Sequence, residues 1–280
     1  MALVDKKYKP NQTLFKVYGE GSNKKIKLIT MKSLRTSGIE DDDILVSDRG
    51  VNDSKLCNNI ARARSKVFEL AYCNEWDYFF TGTLDKSKYD RTDLEKFHHD
   101  IVEWIRAYNR YHNTDIKFLL VPEQHNDGES WHMHGLLKGI PVDLLHQFVK
   151  GDKMGKYIAD KVLNGEVIYN WPGYAKKFGF CDLEPVKNHE AVCKYVTKYM
   201  NKNLGKSVSE IGAHLYYHSR GLYTAYCYAH GYSDYKFVPD YENDYCKVAW
   251  LPYDEQLFEN IMLSFIDYAA VLRTDEFEEI

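Results

Sequence analysis

The sequence predicts an α+β fold, in which an antiparallel sheet carries helices on one face and leaves the other face for a functional site. Three observations lead to this prediction. Apolar runs of strand length alternate with helical periodicities from Asp53 to Lys202. Asn126-Asp127-Gly128 separates two apolar runs and favours a tight turn, so those runs form an antiparallel hairpin. The content of 44% apolar and 28% charged residues is that of a globular protein.

The first predicted elements are a helix, a strand and a second helix. Residues 53–74 place Ile60, Val67 and Ala71 on one side of a helix. A strand is predicted from Trp76 to Leu84. Thr92-Asp-Leu-Glu95 then forms a capping box that opens a long helix.

The hairpin follows, with strands predicted at 116–123 and 131–138. A short helix is expected at 141–148, a hairpin or loop excursion at 165–180 and a strand at 180–186. Asn188 is a plausible N-cap for a helix over 188–202. Without the first helix, the order strand, helix, strand, strand, helix, strand, helix is that of a ferredoxin-like or RRM-like layout.

Composition narrows the function. The net charge of −4 argues against a protein that coats nucleic acid indiscriminately, although it is compatible with a local basic groove. The six cysteines are scattered and contain no Cys-x-x-Cys pair, so neither a disulfide framework nor a cysteine zinc site is expected. No apolar run reaches membrane-spanning length and the N-terminus lacks a secretory pattern, which favours a cytoplasmic protein without membrane partners.

The stretch VPEQHNDGESWHMHG, residues 121–135, is the first candidate site. His132 and His134 are two residues apart and share one face of a strand. The hairpin returns Glu123 to their side. Two imidazoles and a carboxylate are a ligand set for a divalent ion. A solvated strand face is the alternative, and Glu129 or Asp127 could replace Glu123 as third ligand.

The predicted helix over 188–202 is the second candidate site. Tyr195 and Tyr199 are four residues apart, so they lie on the same helix face. A row of lysines recurs every four residues beside them: Lys194, Lys198, Lys202 and Lys206. Tyrosines that anchor a helix to its core and lysines that keep it soluble are the ordinary alternative.

Three motifs occur in order along the chain: Phe79-Phe-Thr-Gly-Thr-Leu84, Trp131-His-Met-His134 and Tyr195-x-x-Lys198-Tyr199. This set resembles the HUH endonucleases, and in particular the two-tyrosine rolling-circle replication initiators (Rep proteins) of small single-stranded DNA phages and plasmids. The resemblance covers roughly residues 76–202. It implies that the first motif is a strand of the central sheet, the second supplies metal ligands and the third carries the nucleophile.

The resemblance further implies Mg²⁺ or Mn²⁺ bound by Glu123, His132 and His134. Tyr195 would attack a DNA phosphate, leaving a 5′-phosphotyrosine link and a free 3′-hydroxyl that primes replication. Tyr199 would act as a second nucleophile. A free phenol has a pKa near ~10, so Lys198 and the metal are expected to favour the phenolate.

Single-stranded or hairpin DNA at a replication origin is the expected partner, together with a host helicase and polymerase in the cytoplasm of a bacterial host. The DNA-contacting residues are expected to be Lys194, Lys202, Lys206 and Arg220. Three other functions remain open on the same residues: an HUH transposase or relaxase, a non-catalytic repressor that binds hairpin DNA, and a metal-dependent hydrolase that uses water.

The predicted domains are an N-terminal extension of unassigned role (1–53), the endonuclease domain (54–206) and a tyrosine-rich C-terminal part (207–280) that could pack on the same domain. Tyrosines near Lys and Arg can stack unpaired bases, but they also favour strands in general.

Overall fold

The computed structural model describes residues 8–35, 53–125, 127–200, 204 and 214–266. These residues form two compact units, one spanning 51–223 and the other combining 1–50 with 224–280. No helix in the described ranges is long and apolar enough to cross a membrane.

The first unit contains β3 (Tyr78–Thr83), β4 (Lys117–Gln124), β5 (Trp131–Lys138), β6 (His146–Gln147), β7 (Tyr169–Asn170), β8 (Cys181–Pro185) and β9 (Tyr217–His218). Its helices are α1 (Asp53–Tyr72), α2 (Leu94–His112), α3 (Lys156–Leu163), α4 (Pro172–Lys177) and α5 (His189–Val196). Short 3₁₀ turns occupy Val142–Leu144 and Thr197–Tyr199. The strands form one sheet in the order β6-β7-β8-β3-β5-β4-β9.

The four central strands, β8-β3-β5-β4, are antiparallel throughout. With α2 between β3 and β4, and α3 and α4 between β5 and β8, they reproduce the ferredoxin-like order. The predicted α+β class with an antiparallel sheet is therefore confirmed.

An aromatic core fills one face of this sheet. Phe80 of β3 packs edge-on against Tyr174 of α4, with ring centroids 5.3 Å apart. Trp104 and Phe97 of α2 both contact Phe178, which follows α4. Because these rings are apolar and extensively buried, they hold α2 and α4 against the sheet.

The opposite face, here called the histidine face, carries Phe79, His132 and His134. This face is not bare, since the centroid of Phe79 lies 5.1 Å from that of Tyr195 at the end of α5. α1 contacts α5. Helices therefore flank both faces, and α5 covers only part of the histidine face.

Two local predictions between β5 and β8 were wrong. The segment 141–148 is a 3₁₀ turn followed by β6 rather than a helix, because its backbone pairs with β7 at Asn170. Phe148 instead packs with Ile158 and Ile168 in a small apolar cluster. The expected loop excursion at 165–180 contains β7 and α4.

The start of α2 also differs from the predicted capping box. Asp93, not Thr92, is the N-cap, and its carboxylate accepts a hydrogen bond from the backbone N–H of Lys96 at 2.9 Å. The hydroxyl of Thr92 donates to Asp90 instead. The shorter Asp side chain at the cap satisfies one free N–H of the first turn.

The second unit draws strands from both ends of the chain: β1 (Tyr8–Tyr18), β2 (Lys25–Arg35), β10 (Tyr226–Ser233), β11 (Tyr241–Glu242), β12 (Cys246–Pro252) and β13 (Phe265–Ile266). They form an antiparallel sheet in the order β11-β12-β2-β1-β10-β13. Phe15 and Leu28 of this sheet are buried with Ile261 of α6 (Glu255–Leu263). The three-part division at residues 53 and 206 stays a prediction.

Candidate active site

The strand register assembles the histidine face. Thr83 pairs directly with His132, and Thr81 pairs with His134. On the other side of β5, Glu123 of β4 pairs with His132. Since directly opposed residues of an antiparallel pair point to the same face, all five side chains project together.

Glu123 and His134 contact each other. The Oε2 atom of Glu123 lies 2.8 Å from Nε2 of His134. The hydrogen bond from His134 lowers the pKa of the Glu123 carboxyl below its ordinary value. Burial lowers the pKa of His132, which favours the neutral imidazole. A carboxylate and neutral imidazoles are the protonation states that bind metal ions.

Two threonines hold the imidazoles from behind. The hydroxyl oxygen of Thr83 lies 3.0 Å from Nδ1 of His132, and that of Thr81 lies 3.4 Å from Nδ1 of His134. Each histidine is therefore held at Nδ1, which leaves Nε2 as the ligand atom. Sequence reasoning assigned no role to these threonines, although their period of two matches that of the histidines.

The donor set has the chemistry of a divalent-ion site, with one carboxylate and two imidazoles. Within the described residues, however, no three His, Cys, Asp or Glu side chains stand together in an arrangement that could hold a metal ion. Glu123 and His134 are hydrogen-bonded directly to each other. Metal binding therefore requires that hydrogen bond to be exchanged for two metal bonds.

The two alternative carboxylates lie in the hairpin turn. Asp127 accepts hydrogen bonds from the hydroxyl and backbone N–H of Ser130, so its carboxylate stabilises the turn. Glu129 is exposed. A third histidine, which the sequence interpretation did not single out, lies closer: the His125 ring stacks on His132 with centroids 4.9 Å apart.

The tyrosine-bearing helix begins as predicted. The side chain of Asn188 accepts a hydrogen bond from the backbone N–H of Ala191 at 2.9 Å, which makes it the N-cap. The Nε2 atom of His189 lies 3.1 Å from the carbonyl oxygen of Tyr72 in α1. These contacts fix the start of α5 next to α1.

The α-helix is shorter than predicted and continues as the 3₁₀ turn Thr197–Tyr199. The hydroxyl of Thr197 donates to the carbonyl oxygen of Lys194 at 2.7 Å, a local bond that competes with the helical pattern. Arg64 of α1 donates to the carbonyl oxygen of Met200, just after the turn. Tyr199 is thereby held close to Tyr195 although it lies outside the α-helix.

The two tyrosines meet over the histidine face. The hydroxyl of Tyr199 donates a hydrogen bond to the hydroxyl oxygen of Tyr195 at 3.2 Å. The Tyr199 ring stacks on His134 with centroids 4.1 Å apart and planes 12° apart. Burial and the hydrogen bond to Tyr195 raise the pKa of Tyr199. Tyr195 is 42% exposed, so its hydroxyl is the one that solvent and substrate reach.

The predicted cations are distributed unevenly. The Nζ atom of Lys198 lies 4.9 Å from the ring centroid of Tyr195. Lys194 forms an exposed ion pair with Glu190 at 2.7 Å. Lys202 and Lys206 lie outside the described residues.

Arg220 is not brought to the tyrosines. It follows β9 and is exposed. It lines a separate cleft with Arg106 of α2 and Lys117 at the start of β4. Any contact of Arg220 with DNA would therefore be made away from the tyrosine pair, Tyr195 and Tyr199.

Residues 77–204 match the model of a protein family described as replication-associated protein ORF2. No curated protein and no solved structure shows a significant match to the chain. The matched segment includes the whole histidine face and the tyrosine pair. This similarity supports a rolling-circle Rep-type replication protein.

Proposed function

We propose that this chain initiates rolling-circle replication by nicking and rejoining single-stranded DNA at an origin, with a tyrosine as nucleophile. The observation that carries the proposal is the position of the Tyr195 hydroxyl. It is exposed, it accepts a hydrogen bond from Tyr199 at 3.2 Å, and Tyr199 stacks on His134 of the predicted metal ligands. A nucleophile, a hydrogen-bond donor and metal-binding groups thus occupy one surface.

The reaction is a phosphodiester transfer. The Tyr195 oxygen forms a bond to phosphorus, and the bond from phosphorus to the 3′ oxygen of the preceding nucleotide breaks. The phenol loses a proton and the 3′ oxygen gains one, leaving a 5′-phosphotyrosine and a free 3′-hydroxyl. Because one phosphodiester replaces another, a second nucleophile can reverse the transfer and rejoin the ends.

The two tyrosines differ in a way that favours Tyr195 as first nucleophile. The Tyr199 hydroxyl donates its proton toward the Tyr195 oxygen, so it stabilises negative charge on that oxygen. Its own raised pKa disfavours early ionisation. Lys198 adds a positive charge beside the Tyr195 ring. Tyr199 is then the candidate for the rejoining step.

Glu123, His132 and His134 are the groups that would hold Mg²⁺ or Mn²⁺. When bound, the ion would polarise a non-bridging phosphate oxygen and offset charge that develops during transfer. Thr81 and Thr83 keep the imidazole rings oriented for this role. The basic residues beside the site, Lys194 and Lys198, would bind DNA phosphates.

The test is denaturing electrophoresis after mixing the protein with a labelled pool of single-stranded hairpin oligonucleotides and Mn²⁺, with and without EDTA. Wild type is compared with Tyr195→Phe, Tyr199→Phe and the double variant. Tyr111→Phe is the matched control, because Tyr111 lies on α2 and is 85% exposed. We expect a metal-dependent protein–DNA adduct that Tyr195→Phe abolishes for the first cleavage and Tyr111→Phe leaves unchanged.

Other outcomes would select other functions. Cleavage without an adduct, unaffected by Tyr195→Phe, would overturn the proposal in favour of a hydrolase that uses water. Binding without cleavage would favour the repressor. Cleavage that requires transposon-end or transfer-origin hairpins, and fails on replication origins, would identify a transposase or relaxase with the same chemistry.

A further inference from the structure

A cavity of about 560 Å³ opens directly beside Tyr195. It lies between the end of β8, α3 and α5, so α3, which is inserted between β5 and β8, forms one wall. Its volume is within the range of sites that bind small organic groups, roughly 300 to 1,000 Å³. The cavity is therefore large enough for one nucleobase with its sugar.

The lining combines an apolar base with a basic rim. Phe79, Val186 and Val192 contribute apolar surface, whereas the cations around it are Lys161, Lys187, Lys194 and Lys198. Glu184 is the one carboxylate among the lining residues, all of which lie in the described part of the chain. Flat apolar surface next to positive charge matches a nucleotide, which has a π-face and a phosphate.

An aromatic ring is positioned in the wall formed by α3. Tyr157 is 64% exposed, and Nζ of Lys161 lies 4.6 Å from its ring centroid. Lys161 is itself held by an ion pair with Glu184 on β8. The ring is therefore restrained by a cation–π contact on a fixed lysine, although most of its surface remains accessible for stacking.

Two of the rim lysines can exchange partners. Lys187 pairs with Glu166 at 3.3 Å and Lys194 pairs with Glu190 at 2.7 Å, and all four side chains are substantially exposed. Exposed ion pairs contribute little to stability, so a phosphate can replace the glutamates at small cost. Charge-assisted contacts to phosphate would then orient the strand.

We propose that this cavity binds one unpaired nucleotide adjacent to the phosphate that Tyr195 attacks. Its base stacks on Tyr157, and its flanking phosphates contact Lys187 and Lys194. The proposal rests on the proposed nicking function for the position of that phosphate. A base within a duplex is already stacked and paired, so the cavity selects single-stranded DNA.

The experiment uses the full chain carrying Tyr195→Phe, in EDTA, so that binding is measured without chemistry while the ring at 195 is kept. The probe is a fluorescein-labelled hairpin oligonucleotide with a single-stranded tail, chosen as the one that wild type nicks or, failing that, binds most tightly. An abasic site is placed at each tail position in turn, and affinity is measured by fluorescence anisotropy.

We expect one tail position at which the abasic site weakens binding on the order of tenfold. Adding Tyr157→Ala should remove that sensitivity, whereas Tyr157→Phe keeps the ring and should preserve it. Tyr111→Ala, at an exposed tyrosine on α2, is the control for loss of an unrelated ring. Thermal unfolding of each variant checks that the fold is retained.

The two proposals fail separately. If wild type nicks DNA but no abasic penalty depends on Tyr157, the nucleotide cavity is overturned and the nicking function stands. If a Tyr157-dependent penalty exists but no adduct forms, the cavity stands as a base-binding site and the nicking function is overturned.

Discussion

The hydroxyl oxygen of Thr83 lies 3.0 Å from the Nδ1 atom of His132, across two directly paired strands. A partner at Nδ1 sets the orientation of an imidazole whose Nε2 atom binds a metal. The threonine motif on β3 therefore contributes to the site through the histidines.

Replacing Thr83 by Val should weaken Mn²⁺ binding, since the isosteric side chain cannot hydrogen-bond to His132. Loss of such a partner costs about 10- to 100-fold in metal affinity. Thr83→Ser keeps the hydroxyl and should stay within a few-fold of wild type. Isothermal titration with Mn²⁺ measures both. Equal affinity of the Val and Ser variants would contradict the orienting role.

The identity of the third ligand can be decided by a pair of matched variants. Glu123→Gln should abolish Mn²⁺-dependent thermal stabilisation, because Glu123 is the carboxylate that contacts His134. Glu129→Gln removes an exposed carboxylate of the same hairpin and should leave the stabilisation intact. The reverse pattern in a thermal-shift titration would assign the metal ligand to Glu129.

Two lysines on the tyrosine helix should affect different steps. Lys198→Ala should slow adduct formation at saturating DNA on the order of tenfold or more, because Nζ of Lys198 lies 4.9 Å from the Tyr195 ring centroid. Lys194→Ala should instead weaken DNA binding and reduce the salt slope by about 1. Single-turnover rates and anisotropy titrations separate the effects. A rate defect of equal size in both variants would argue against a local role for Lys198.

Asp182 should make the folded state sensitive to pH. It is buried on β8 and hydrogen-bonded to Thr81, and burial together with nearby Glu184 raises its pKa to about 7. Folding then favours the protonated form, so the cost of ionised Asp182 is absent below about pH 4. The cost grows as pH rises and is fully present above pH 7.

Asp182→Asn should consequently gain stability relative to wild type as pH rises from 5 to 8, on the order of a few kcal/mol. Asp143→Asn, at an exposed position, is the control and should show no such trend. Urea unfolding at several pH values measures the difference. A constant offset between wild type and Asp182→Asn would show that ionisation of Asp182 is not coupled to folding.

Gly135 allows β4 to approach β5 closely. A Cβ atom at this position would lie 2.1 Å from the carbonyl oxygen of Leu119 and 2.9 Å from Cα of Leu120. Gly135→Ala should therefore force the strands apart and destabilise the fold by roughly 3 kcal/mol. Gly155→Ala is the control, since nothing lies within 4 Å of the added Cβ. Thermal unfolding tests the pair, and a melting temperature of Gly135→Ala close to that of Gly155→Ala would contradict the close contact.

Periodicity was sufficient where an element is long or symmetric. The hairpin 116–138 and the shared face of His132 and His134 were predicted correctly, because strand alternation directly determines the face of each side chain. It was insufficient between 141 and 180. There the elements span only two to eight residues, and their conformation depends on sheet pairing and on the cluster around Phe148.

The sequence by itself determined the α+β class, the order of the central strands and helices, and the residue types of the two motifs. Tertiary structure alone decided that Thr81 and Thr83 face the histidines, that Tyr199 donates to Tyr195, and that both chain ends build one sheet. The physical reason is range: side-chain period is a local property of the backbone, whereas register between strands and the packing of a helix on a sheet depend on contacts between residues far apart in the chain.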